Sequence, residues 1–296
     1  MTSPENKPKL GVALSGGGAR GLTHIGVLKV LSNSGTQIDY MAGTSMGGVI
    51  AACYAAGLEP PTIEKIACHV GKASNLLRLV DPTIPQKGML KGNKIREFFN
   101  KQLSNKNFED LDIPLTLTAV DLNSNQEVHI SEGNVADALR ATVSIPGVFL
   151  PVEHAGMRLV DGGLLNNLPV DIVRDMGADV ILGVDVGWCG NLKEDVFEST
   201  SGWVSKTPWV EMALTLYETI NLFLSRQVED KINTVKPDLL LQPKIPPKIT
   251  SLTGYTHAAE LIAIGEDCAQ SIISDLHRLL QSNRSENQVV RKFFKK

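Results

Sequence analysis

Leu10 to Leu14 form an unbroken run of apolar or small residues that stops at Ser15 and three glycines, Gly16 to Gly18. A run of that kind closed by glycine is how a strand buried on both faces enters a tight loop. The period then changes: Leu22, Ile25, Leu28, Val30 and Leu31 fall near helical spacing, and Gly35 follows as a C′ residue, predicting a helix. A second short strand, "TQIDYMAG", and a second helix, "SMGGVIAACYAAG", whose small residues permit close packing, repeat the unit. Strand, turn, helix, repeated, implies a parallel sheet with right-handed crossovers.

Further along, "IPLTLTAVDL" and "QEVHIS" read as strands joined at Asn123 to Asn125. "NVADALRATVSIPG" reads as a helix capped by Asn134 and ended by Pro146 and Gly147. "MRLVDGG" is a strand halting at Asp161, "LPVDIVRDMG" a helix and "ADVILGVDVG" another strand. After Gly187 the pattern loosens. Trp188 to Trp209 has no clear period, "MALTLYETINLFLSRQVED" is helical, "PDLLLQP" extended, and "THAAELIAIGEDCAQSIISDLHRLL" one long amphipathic helix. With no internal repeat and no linker, a single folding unit over 10–281 is expected, its motifs within 10–187, between a polar tail (1–9) and a basic tail (282–296).

Composition narrows the classes. A chain of 296 residues with 43% hydrophobic and 21% charged residues is globular, and a net charge of −3 supplies no field for nucleic acid. Cys53, Cys68, Cys189 and Cys268 are scattered without a C-x-x-C pair, against a disulfide framework or structural zinc and in favour of a reducing compartment. "MTSPENKPK" lacks the apolar region of a secretory signal, and no apolar run reaches transmembrane length, so a cytoplasmic protein is expected.

Two glycine turns carry the candidate chemistry. "GTSMG", Gly43 to Gly47, is Gly-x-Ser-x-Gly between a strand and a helix, the pattern of a nucleophile elbow that holds Ser45 outward on a strained turn; a serine in an ordinary helix cap gives the same string. "GGGARG" satisfies Gly-x-Gly-x-x-Gly with Gly16, Gly18 and Gly21, and Asp39 falls where a ribose-binding acid belongs, so a dinucleotide-binding oxidoreductase is the alternative. Consecutive N–H groups at such a turn equally hold a developing oxyanion. A dinucleotide site has no use for an exposed serine after the next strand or for "DGG" after a later one, whereas an acyl hydrolase needs a nucleophile, a base and oxyanion donors. Loops at the carboxyl edge of a parallel sheet would bring all three to one crevice.

"GGGARG", "GTSMG" and "DGG", in that order and with "LRATVSIPGVFLPV" between the last two, resemble the bacterial patatin-like phospholipase family, related to the catalytic domain of neuropathy target esterase. The resemblance spans about Leu10 to Gly187. It implies a three-layer α/β/α sandwich with a mainly parallel central sheet, and a Ser–Asp dyad with Ser45 as nucleophile and Asp161 as base. Gly16, Gly17 and Gly18, with Arg20, would form the oxyanion loop, Gly43 and Gly47 flank the elbow, and Gly162 and Gly163 complete the Asp-Gly-Gly motif. The implied activity is hydrolysis of a lipid ester, in a phospholipid or lysophospholipid, through an acyl-enzyme, with no metal or organic cofactor. A patatin-fold adaptor that binds a protein partner is the non-catalytic alternative.

His257 and His277 follow Asp161, so the order Ser, Asp, His of a triad is formally available, although Ser45 comes too early in the strand order for an α/β-hydrolase. His24 reads as a packing or hydrogen-bonding residue. The Lys- and Leu-rich stretch from Lys72 to Phe99 is expected to cap the crevice, with Leu76, Leu77, Leu79 and Met89 as an apolar wall for acyl chains. "VVRKFFKK" at the C-terminus combines four cations with Phe293 and Phe294, as a peripheral contact with a membrane's inner surface requires.

Overall fold

β1 (Leu10–Leu14) is buried at every residue and lies inside an eight-stranded sheet of the computed structural model, which describes residues 7–81, 90–187, 208–251 and 254–282. β2 (Tyr40–Gly43) pairs parallel to β1, and β3 (Leu115–Asp121) parallel to β2. β4 (Gln126–Ile130), β5 (Val152–His154) and β6 (Met157–Asp161) run the other way or double back, β4 and β6 antiparallel to β3 and β5 antiparallel to β6. β7 (Val180–Val184) is parallel to β1 on its other side, and β8 (Leu239–Leu241) parallel to β7.

Ten helices cover the sheet among the described residues: α1 (Thr23–Asn33), α2 (Ser45–Ala55), α3 (Pro60–Val70), α4 (Ala73–Leu76), α5 (Asn93–Gln102), α6 (Val135–Thr142), α7 (Val170–Asp175), α8 (Pro208–Val235), α9 (Ala258–Gln270) and α10 (Ile273–Gln281). Side chains alternate across a strand, so β1 sends Leu10, Val12 and Leu14 to one face, into a core shared with Leu28 of α1, Ile50 of α2 and Leu261 of α9. Ala13 faces the other way, into a core with Val173 of α7, Ile181 and Val228 of α8. The result is the expected three-layer α/β/α sandwich. Leu261, Ile262, Ala269 and Leu276, far beyond Gly187, fill the same core as β1.

Several boundaries differ from the sequence reading. The long C-terminal helix is two, α9 and α10, broken at Ser271 and Ile272, where the Ser271 hydroxyl donates to the Cys268 carbonyl and takes the place of a ladder partner. β5 was not signalled: its hairpin with β6 turns on Ala155 and Gly156, both with positive φ, and "HAG" is an inconspicuous spelling of that turn. α6 stops at Thr142 ahead of Pro146, with Asn134 Oδ1 accepting from the Ala136 and Asp137 amides as an N-cap. Lys9, assigned to the tail, is already docked, its amide donating to Asp179. The unpatterned stretch from Trp188, Cys189, Met89 and the basic tail lie outside the described residues, except for the first residues of α8 and for Ser282. Among the described residues no helix is long and apolar enough to cross a membrane.

Candidate active site

Ser45 sits between β2 and α2 with φ of 52°, in the left-handed region, a conformation that costs an L-residue on the order of 1–2 kcal/mol. The strain is held by its neighbours. The Ser45 amide donates to Thr142 Oγ1 at 2.9 Å, and the Thr44 hydroxyl donates to the Asn166 carbonyl at 2.8 Å. The flanking glycines are required by close approach: a Cβ on Gly43 would lie 2.6 Å from Gly48 Cα, and one on Gly47 would lie 2.4 Å from the carbonyl oxygens of Leu14 and Ser15. Helix α2 therefore passes directly against the end of β1, and an ordinary helix cap would need neither glycine.

Asp161 reaches Ser45 by a route that differs from the expected one. Ala119, Val120 and Asp121 of β3 pair with both β4 and β6, while Leu117 pairs with both β4 and β2. A strand has two edges, so β4 takes one of them and β2 and β6 share the other, running head-on. β2 stops at Gly43, opposite Leu117, and β6 stops at Asp161, opposite Ala119. Only the level of Thr118 separates the two strand ends, and a Cβ on Gly162 would lie 2.1 Å from the Thr118 hydroxyl. The parallel-edge argument is thus corrected: the aspartate arrives from the opposite direction on an antiparallel strand.

The Ser45 side chain is close enough to Asp161 to draw its carboxyl pKa down. Both are buried, Ser45 at 6% and Asp161 at 7% exposure. Burial pushes the Asp161 carboxyl up to about 6, opposed by hydrogen bonds from the Ser45 side chain and the Gly163 amide, the latter at 2.9 Å. At neutral pH the group is an ionised carboxylate with raised basicity, facing a hydroxyl.

The glycine run lies beside this pair. A Cβ on Gly16 would come within 3.2 Å of Ser45 Cβ and 2.5 Å of Asn167 Oδ1. The Gly16 amide donates to the Asn167 carbonyl at 3.1 Å, which leaves Gly17 and Gly18 as the amides of the run without a partner among the described residues. Gly18 has φ of +53°, and a Cβ there would lie 2.3 Å from the Ser251 carbonyl oxygen. Arg20 is buried and its Nε donates to the Ile249 carbonyl at 2.8 Å, tying the loop to the segment before α9.

A cavity of about 160 Å³ opens from Ser45 and Gly18 between α2, α3 and α5, lined almost wholly by apolar side chains. Leu76 and Leu79 contribute to its wall as expected. Leu77 does not, and is 69% exposed. Thr142, Asn166 and Asn167 were missed by sequence reasoning; their only signal was position, Thr142 inside "LRATVSIPG" and the two asparagines just after "DGG".

The alternatives fare differently. Asp39 accepts from the Leu10 amide at 2.8 Å, at the amino-terminal edge of β1 and β2, opposite the glycine run, so it cannot serve a ribose there. His257 bonds Glu260 and His277 bonds Thr36, and neither is placed on Ser45 or Asp161. Among the described residues no cluster of three or more His, Cys, Asp or Glu is arranged to hold a metal.

The family model for patatin-like phospholipase matches residues 12–174. The chain is 36% identical over 184 residues to an uncharacterized NTE family protein of Mycobacterium tuberculosis, covering 61% of this chain and 50% of that one. It is 34% identical over 200 residues to human patatin-like phospholipase domain-containing protein 6, covering 66% and 14%. It is 32% identical over 199 residues to lysophospholipase nte1 of Aspergillus fumigatus, covering 66% and 13%. The chain thus spans about half the length of the mycobacterial relative and far less of the other two.

Proposed function

The chain belongs to the patatin-like phospholipase family, and on that premise we propose that it hydrolyses a carboxylic ester of a phospholipid or lysophospholipid through Ser45, Asp161 and an acyl-enzyme. The name of the Aspergillus relative supports a lysophospholipid as one substrate class. The observation that carries the reading is the placement of buried Ser45 and Asp161 at strand ends one level apart on β3, with Ser45 at the mouth of an apolar cavity.

In this mechanism Asp161 accepts the Ser45 proton as Oγ bonds to the ester carbonyl carbon. The carbonyl π electrons move onto oxygen, where the Gly17 and Gly18 amides donate to the oxyanion. Collapse expels the alcohol, which takes the proton back from Asp161, and leaves the acyl group on Ser45. Water then repeats the sequence, with Asp161 accepting its proton and returning it to Ser45 as the fatty acid departs. Arg20 braces the loop from behind, and Gly16 sets its approach to Asn167. Cytoplasmic placement with peripheral membrane contact through the basic tail belongs to the same reading.

Labelling with a fluorophosphonate probe tests it. The wild-type protein should be labelled and Ser45→Ala should not; a folded wild-type protein inert to the probe and to short-chain esters would sink the proposal.

A further inference from the structure

The apolar cavity has a direction and an end. Along α2 it is lined by Ser45, Met46, Val49, Ile50 and Cys53, one helical face beginning at the nucleophile. α3 lines it through Ile63, Ile66, Ala67 and Val70, and α5 through Ile95, Phe98, Phe99 and Gln102.

Local contacts orient all three helices. Only residues 56–59 join α2 to α3, so α3 folds back along α2, and its far end at Gly71 meets Tyr255, next to Gly254, which adjoins Ala19 of the glycine loop. The Lys106 side chain, just past α5, donates to the Ala56 carbonyl at the end of α2. Val70 and Ile95 therefore stand near Ser45, while Cys53, Ile63 and Gln102 stand at the remote end. There Cys53 and Ile63 are 5% and 3% exposed, and Gln102 adds an amide to an otherwise apolar wall.

We propose that this cavity is a ruler for the acyl chain, stopped by Cys53, Ile63 and Gln102, that admits about ten carbons beyond Ser45. The length follows from the helix: eight residues from Ser45 to Cys53 at 1.5 Å each give about 12 Å, and an extended chain advances about 1.2 Å per bond. The inference rests on the reading of Ser45 as an esterase nucleophile. It adds a chain length and three residues that set it. Each methylene held inside contributes hydrophobic transfer energy, so kcat/KM should rise by about fourfold per methylene up to the stop and no further.

The test is the kcat/KM profile for p-nitrophenyl esters from four to sixteen carbons. The wild type should break near ten carbons. Cys53→Phe should move the break to shorter chains, and Val49→Phe, about 6 Å from Ser45, should move it to about five. Cys53→Met and Gln102→Leu read the same boundary without strong overpacking: the first should lower the ratio of decanoyl to butyryl hydrolysis, and the second should raise that of tetradecanoyl to decanoyl. A break that stays in place in every folded variant, or a wild-type profile still climbing at sixteen carbons, overturns the ruler while leaving the esterase intact. Absence of hydrolysis at all lengths together with absence of fluorophosphonate labelling overturns the esterase reading, and the ruler with it.

Discussion

His24 Nε2 lies 2.9 Å from the carbonyl oxygen of Ser15, in the same peptide unit whose N–H, on Gly16, donates to Asn167. A carbonyl only accepts, so the imidazole carries its proton on Nε2. Nδ1 is buried with no partner among the described residues. Burial holds the ring's pKa down to about 4 against the opposing bond to Ser15. His24 on α1 thus fixes the peptide plane at the entrance of the glycine run in its neutral form.

Two buried groups give the fold opposite responses to acid. His24 stays neutral in the fold while the unfolded chain protonates below 6.5, so stability is lost as pH falls from 6.5 toward 4; the displacement to about 4 corresponds to about 3 kcal/mol. Asp161 keeps its proton up to about 6 in the fold and only to about 3.8 unfolded, so stability is lost as pH rises through that interval, again by about 3 kcal/mol. Between pH 4 and 6 the two nearly cancel. Asp161→Asn should therefore melt higher than wild type at pH 8 and lose stability more steeply between pH 6.5 and 4. Melting curves with equal slopes against pH would contradict the assignment.

The same carboxyl sets the pH dependence of turnover. As a base it must be ionised, so kcat/KM for a soluble short-chain ester should rise with pH and level off above an apparent pKa of about 6. A rising limb centred near 4 would mean that the working base is not this buried group.

Ser45 and Asp161 should behave as one unit. Ser45→Ala and Asp161→Asn should each remove most ester hydrolysis, and the double variant should lose little more. His257→Ala and His277→Ala should stay within a few-fold of wild type, consistent with their bonds to Glu260 and Thr36. A folded histidine variant as inactive as Ser45→Ala would restore the triad.

The two open amides of the glycine run should tolerate substitution unequally. Gly17 lies outside the left-handed region and a Cβ there is crowded only by the Val186 methyl, at 2.8 Å, whereas Gly18 combines positive φ with a Cβ 2.3 Å from the Ser251 carbonyl oxygen. Gly18→Ala should lower kcat by about 100- to 1,000-fold, the usual loss for one oxyanion donor, and Gly17→Ala by less. Equal, near-wild-type turnover in both folded variants would remove the loop from the mechanism.

The basic tail makes a separate prediction. Deleting residues 289–296, which carry Arg291, Lys292, Phe293, Phe294, Lys295 and Lys296, should weaken sedimentation with anionic vesicles while sparing a soluble ester. Undiminished vesicle binding would dismiss the tail as an anchor.

The elbow and the glycine run were legible because both rest on local backbone demands. Gly43 and Gly47 are fixed by contact distance, and Gly18 by positive φ, so the residue type itself reports the geometry. The approach of Asp161 was not legible, because strand direction depends on which edge of β3 is free, and Leu159 and Val160 read the same in either direction. Thr142 and Asn167 were hidden for another reason. Thr142 satisfies the Ser45 amide with a lone hydroxyl that carries no period, and Asn167 satisfies the Gly16 amide through a backbone carbonyl that any residue could supply. Nor did "LRATVSIPG" announce that Arg140 would clamp the carbonyls of Lys91 and Leu150 beside the cavity.

The bonds that place the glycine run reach far forward: the Ser15 hydroxyl accepts from Val186, Gly16 donates to Asn167, and Ala19 donates to Ser251. A ribosome releases the chain from its N-terminus, so Ser45 emerges some two hundred residues before Ser251, the last of these anchors. Over that interval the nascent chain carries Ser45 while the glycine run still lacks its last anchor. On the proposed mechanism, the nucleophile is therefore made long before the loop that would hold its oxyanion can be braced, and the site completes only once Ser251 has been delivered.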